Sequence, residues 1–512
     1  MKNPMKNVYS ERNYLMKKLL SIILVVLMCL PIMASCGASS PSETSKTEIT
    51  TDADKSTSSE IASTSVTDPN TMLDLNFGGK TFTFLYWNDG YLHEYYVPEQ
   101  TGDLIADSVF LRNATVEERL GIQFEWVGTP GNYDNRDAFV TTIANDVHSG
   151  GEFEAFSGYS LTGATIAMQG LSRDLMELDH LDFTQSWWPA SLTDLSTING
   201  RLYFCAGDIG VSMLREMNCT IFNKTMANEL NIGSLYEMVD KGAWTLDKMS
   251  EFASAAYSDL NGNMAPDMTD QFGIGLRAAW VFDTFYTAAG LRTVVKDADD
   301  TPVMASDFTS ERTQELLEKV VSIFHNADYT AYPTTLPEWS NKPFADGRVL
   351  FIIDSNQVTS SEDFADTNVT YGILPVPKMD EAQENYHSLI QLAHSNYSIS
   401  NALSDEDANM AAAVLECMAH EAYTMVTPAA VETAMKLKYA SGDDDSRMYD
   451  LLRETVSFDL GRVFSEPLGN IPIFPFRNAC NNGSTNWASI SKAESKRMQQ
   501  LLEKIISEFD SN

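Results

Sequence analysis

Positive charge is scarce in this chain. Lys and Arg number 35 against 71 Asp and Glu, so its 512 residues carry a net charge of −36. Such an acidic chain repels phosphate backbones and anionic lipid surfaces, which speaks against nucleic acid as a partner. Histidine is sparse as well: the seven present form no HExxH pair or other close metal pattern. No GxSxG elbow, P-loop or CxxC occurs, and carboxylates are too abundant for one pair to stand out as a glycosidase acid and base. Cysteine is limited to six residues. Cys205, Cys219, Cys417 and Cys480 match no disulfide or zinc spacing, so buried free thiols are expected there.

No apolar run makes a comfortable membrane span, but the N-terminus reads as an address. Lys17-Lys18 precede the apolar run Leu19–Ile32, which is too short and too soon interrupted to cross a bilayer. Met33-Ala34-Ser35-Cys36 then reads as a lipobox, with Cys36 the residue that would carry the lipid. An ordinary signal peptide with an incidental cysteine is the alternative. Residues 37–70 are dominated by Ser and Thr without an aromatic residue, and cannot bury enough apolar area to offset chain entropy. The expectation is a signal peptide over 1–36, a disordered tether over 37–70, and a folded part held at the extracellular face of the membrane.

The folded part is too long for one ordinary core, so two or more domains are expected. Thr81–Trp87 is a β-rich run after the turn at Gly78-Gly79, and Ile122–Val127 is a second strand after a helical Asp107–Leu120. Around Asn199–Asp208 and Asn218–Lys224 the sequence reads as strand, glycine-bearing crossing, strand, then Asn223 as a helix cap. That pattern suits a passage between lobes, and equally two adjacent strands of one sheet. Val349–Asp354 is apolar enough to be buried on both faces, as parallel strands are. Tyr371–Pro377 is a further strand, and Asp405–Met418 a helix capped by Ser404.

The ordered set "NGRLYF", "TIFNKTMANELNI", "SLYEMVDKGAWTLDKMSEFA" and "FADGRVLFIID…YGILPVPK" resembles the extracellular solute-binding proteins of ABC importers, the group that takes sugars and oligosaccharides. It spans roughly residues 75–430. The resemblance implies an α/β fold of two lobes, periplasmic-binding-protein-like (class II), with a hinge between them. It implies a first lobe over 71–208 and 351–430 and a second over 209–350, with crossings near 206–218 and 350–356. The helix-rich 431–512 would belong mostly to the second lobe, with a third crossing after 430. A carbohydrate ligand, ABC permease subunits as partners, a monomeric receptor and no catalysis are also implied. A tethered carbohydrate-active enzyme, a structural lipoprotein, and a binder of peptide or another polar solute remain alternatives.

Sugar binding needs aromatic faces for pyranose C–H groups and fixed polar groups for hydroxyls. Trp87, Tyr91, Trp188, Trp280 and Trp339 are the aromatic candidates, and Asp208, Asp283, Asp354 and Arg477 the polar ones, although core packing competes for each aromatic. Of the adjacent Trp187-Trp188, at least one is expected to be exposed or to line a cleft. Asp259, Asn261, Asn263, Asp267 and Asp270 have the spacing of a calcium loop, though glycine stands at the fourth position and Asp closes it. A structural calcium and a polar Asx-rich turn are the two readings of that stretch; no other cofactor is expected.

Overall fold

The computed structural model describes residues 75–511 except 92–93, 326, 366 and 439–442. The signal peptide, Cys36 and the tether lie outside the described residues. Two separate sheets organise what is described, and each strand's sequence explains its place.

The first sheet runs β11-β3-β1-β2 and comprises β1 (Lys80–Trp87), β2 (Ile122–Thr129), β3 (Ala155–Tyr159) and β11 (Ser395–Ile399). β1 is parallel to β2, from Lys80 opposite Ile122 to Trp87 opposite Thr129, and parallel to β3, while β11 is antiparallel to β3. Between β1 and β2 runs helix α1 (Leu104–Leu120), capped by Asp103, whose carboxylate accepts from the Ala106 amide at 2.8 Å. Gly121 ends it with φ +60°, a left-handed conformation that favours glycine. Phe82, Phe84, Leu85, Val116, Leu120 and Phe139 form the core of this unit.

The second sheet runs β10-β4-β9-β5-β8: β4 (Asn218–Asn223), β5 (Phe272–Leu276), β8 (Thr330–Ala331), β9 (Val349–Ser355) and β10 (Tyr371–Leu374). Every residue of β4, β5 and β9 is buried, as near-continuous apolar runs covered on both faces require. Asn223 caps the following helix by accepting from Met226 at 3.0 Å. A two-stranded ribbon, β6 (Val294–Lys296) and β7 (Pro302–Met304), flanks this unit. Helix α2 (Glu311–His325) packs Leu316, Leu317, Val320 and Phe324 into its core.

Val349–Ser355, which the sequence reading returned to the first lobe, lies at the centre of the second sheet. It is antiparallel to β4 and parallel to β5. Leu202–Ala206 forms no strand; only Cys205 bridges to Tyr397. From there residues 206–217 pass to β4, and Met217 bridges to Ile390 on the segment that leads back from β10 to β11. Gln391 donates its amide to the Glu216 carbonyl at 2.9 Å, tying the two passages together.

Helix α3 (Asp405–Glu421) fills the first core with Ala411, Ala412, Val414, Leu415 and Met418, and Ser404 caps it, accepting from Asp407 at 3.2 Å. Thr427–Lys438 packs against α1 of the first unit, whereas α4 (Asp443–Glu454) packs on β10 of the second. Helices α5 (Phe474–Asn482) and α6 (Trp487–Ser511) close the second unit. Among the described residues no helix is long and apolar enough to cross a membrane.

Candidate ligand cleft

Open α/β sheets bind ligands beyond the carboxyl ends of their parallel strands. Here those ends from both sheets face one cleft of about 620 Å³. The loop after β1 brings Trp87, Asp89, Gly90 and Tyr91; that after β2 brings Asn132, Tyr133 and Asp134; Tyr159 and Leu161 follow at the end of β3. From the second sheet come Arg277 and Trp280 after β5 and Gln357 after β9, joined by Asn470, Ile473, Phe474 and Arg477. Glu216 and Gln391–Ala393, on the two passages, complete the wall.

Trp87 is held by its indole N–H, which reaches the Tyr95 hydroxyl at 2.6 Å and Ser395 Oγ at 3.0 Å, and its ring meets Tyr159 edge to face. Gly90 lies against that ring: a Cβ there would fall 2.8 Å from it, so only glycine lets the loop fold back over the indole. Trp280 is 43 % exposed, with the Arg277 guanidinium over its ring at 5.5 Å from the centre. Asp89 is fixed by the amides of Gly131 and Asn132 at 2.7 and 2.9 Å and by Asn135 Nδ2 at 2.9 Å.

Two arginines are set by buried carboxylates. Arg277 gives Nε and Nη2 to Asp354 at 2.7 and 2.9 Å, and Arg477 gives Nε and Nη2 to Asp283 at 2.9 and 2.5 Å. Asp283 also accepts from Arg462 Nη1 at 3.0 Å. The bidentate pairing fixes each guanidinium plane and leaves its Nη1 without a hydrogen-bond partner among the described residues. Asp283 and Asp354, expected at the ligand, are thus one step behind it: they orient the arginines, and Arg277 was not expected from the sequence.

Glu216 is a further group that sequence reasoning missed. Burial, with Asp354 nearby, pushes its carboxyl up to about 8, although Arg277 opposes this, so near neutral pH it is mostly protonated and uncharged. Tyr91 shares hydrogen bonds with Glu216 and Gln357, which links the first sheet's loop to the passage and to the end of β9.

Three sequence-based candidates lie elsewhere. Trp188 is buried in the first core, and so is Trp187; their indole N–H groups both donate to Glu416, at 2.8 and 2.9 Å. The pair sits in a turn rather than on a strand or helix, which lets one carboxylate satisfy both rings and overturns the expectation that one would face solvent or a cleft. Burial pushes that carboxyl up to about 7. Trp339 is buried in the second core against Phe272 and lies on Gly275, where a Cβ would come within 2.3 Å of its ring. Asp208 stands away from the cleft, pushed up to about 6 by burial and opposed by a hydrogen bond from Thr427.

The stretch 259–270 turns its oxygens inward. Asp259 accepts from the amides of Gly262 and Met264, Asp267 from Asn261 and Asn263, and Asp270 from the amides of Leu260 and Asp267. Among the described residues no group of three or more His, Cys, Asp or Glu could hold a metal ion. These hydrogen bonds give the loop the form of an Asx-rich turn. Cys205, Cys219, Cys417 and Cys480 are free and buried.

No protein-family model and no curated protein matches the sequence. Solved structures do match its fold. One is the cyclic α-maltosyl-1,6-maltose binding protein of Arthrobacter globiformis, at TM-score 0.58 and 15 % identity over 83 % of this chain and 100 % of that one. The fold is that of the ABC-importer solute-binding proteins. An ABC substrate-binding protein of Listeria monocytogenes in complex with cycloalternan shares this solute-binding fold at TM-score 0.53 and 11 % identity, over 82 % of this chain and 98 % of the other. UgpB of Mycobacterium tuberculosis in complex with glycerophosphocholine has it too, at 0.54 and 16 %, over 83 % and 98 %.

Proposed function

We propose that this chain is a solute-binding receptor that captures a carbohydrate in the cleft and delivers it to an ABC permease. One observation carries the reading: aromatic rings from both sides (Tyr133 on one, Trp280 and Phe474 on the other, with Trp87 and Tyr159 buried behind the first wall) flank a cleft whose hydrogen-bonding groups are already fixed. Rings supply flat apolar faces for pyranose C–H groups, and oriented Asp89, Arg277 and Arg477 supply directional bonds for hydroxyls. A ligand touching both walls binds the closed arrangement better than the open one, and that difference in affinity drives closure about the two passages at 206–217 and 375–394.

The receptor would act as a monomer, lipidated at Cys36 and held by residues 37–70 at the outer face of the membrane. The two free Nη1 groups favour a second reading, a smaller polar solute bearing a phosphate or carboxylate. Thermal unfolding against oligosaccharides, phosphodiesters, amino acids and peptides separates these. A native-state ligand raises the midpoint by mass action. A rise with one sugar class, without product on chromatography, supports the carbohydrate reading. A rise only with anionic solutes supports the second, and cleavage of the sugar returns the chain to the enzyme alternative.

A further inference from the structure

The cleft does not end at its own wall. A second groove of about 410 Å³ lies alongside it, and Asn470 and Phe474 line both. Its floor is one face of α5: Phe474, Asn478 and Asn482 fall at intervals of four residues and so stand above one another on the helix. The stripe is about 12 Å long at the helical rise per residue. Arg477, on the adjoining face, points into the cleft itself. Asn478 and Asn482 are exposed, and among the described residues neither side chain is hydrogen-bonded to the protein. Arg497 of α6 faces them across the groove.

We propose that this groove is an extension of the binding site, so that the ligand is an oligosaccharide whose far end leaves the cleft across Phe474 and rests on Asn478 and Asn482. The inference rests on the carbohydrate reading above. The Phe474 ring at the threshold is partly covered, with the Arg477 guanidinium 5.2 Å from its centre, and meets a sugar with the rest of its apolar surface; the two amides beyond it each offer a donor pair and an acceptor to hydroxyls. A monosaccharide cannot reach from the cleft to Asn482, whereas an oligomer can. Asn470 and Phe474 border both hollows, so a chain that crosses them passes from a ring to polar groups.

The test is calorimetric titration of the full chain with malto- and manno-oligosaccharides of increasing length, for the wild type and for the double variant Asn478→Ala/Asn482→Ala. The expected result is an affinity that goes on rising beyond the shortest binder. The double variant should lose about tenfold for the longest members and nothing for the shortest, at an unchanged melting midpoint. The paired Asn→Gln variant keeps the amides and should retain part of the long-chain preference. Affinity independent of length, or a double variant that weakens all lengths equally or none, overturns the extension while leaving the carbohydrate reading intact. If no member of either series binds the wild type, both fall.

Discussion

Asp283 and Asp354 each hold a guanidinium at the cleft wall, but water reaches the two pairs differently. Asp283 is 1 % exposed and serves both Arg462 and Arg477, whereas the Arg277 side chain opposite Asp354 is 44 % exposed. Asp283→Asn leaves two largely buried cations facing a neutral amide, and should cost about 3–5 kcal/mol. Asp354→Asn should cost less, because Arg277 can turn to solvent; its effect should show instead as weaker ligand binding. Denaturant midpoints alongside titration calorimetry distinguish these. Glu216 makes a pH prediction. Its folded value of about 8 lies above the ordinary 4.5, so between those values the folded state holds the extra proton. Stability should therefore fall as pH rises from about 4.5 to 8, and Glu216→Gln should flatten that part of the profile. At this scale the sequence was a partial guide. Trp87, Tyr91 and Trp280 border the cleft because they follow strands, and Arg477 because it lies on α5, although Trp87 is itself buried; the same rule applied to β2 and β3 yields Tyr133 and Tyr159. Trp188 and Trp339 were misplaced because aromatic type says nothing of which partner covers a ring: a single glutamate in one case, a glycine in the other.

Secondary elements were easier to read than their partners. The helix Asp405–Glu421 starts where Ser404 announces it, and Ser404→Ala should lower stability by about 1 kcal/mol in thermal unfolding. The strand Val349–Ser355 was recognisable from its apolar run and its full burial was expected, but the run carries no label for which sheet it joins. Pairing with β4 and β5 is a long-range choice made by packing. Ile352 and Ile353, fully buried at its centre, should each cost about 2–5 kcal/mol when cut to Ala. The segment after β5 is no single helix: a short 3-10 turn, Ala279–Phe282, breaks into the helix Asp283–Ala288. The break presents Trp280 to the cleft while Asp283 stays buried behind it.

For the molecule as a whole, a charge of −36 sets the background against which the lobes meet. Like charges spread over both units repel, and salt screens exposed charges beyond about 10 Å at 0.1 M. The melting midpoint should therefore rise between low and moderate ionic strength, and a flat profile would mean that the charges are already neutralised locally. Closure about the two passages should appear as a smaller radius of gyration in small-angle scattering when the ligand is added. Trp280→Ala should weaken that ligand about tenfold by removing an exposed stacking face.

The four unpaired thiols give the molecule a built-in clock. Cys205 and Cys417 lie in the core of the first unit, Cys219 and Cys480 in that of the second, with burial pushing the Cys417 thiol up to about 12. A thiol reagent can reach any of them only when the surrounding core parts. The labelling pace at each pair thus records how often that half of the molecule breathes, and mass spectrometry of the modified peptides would tell whether the halves do so together or in turn.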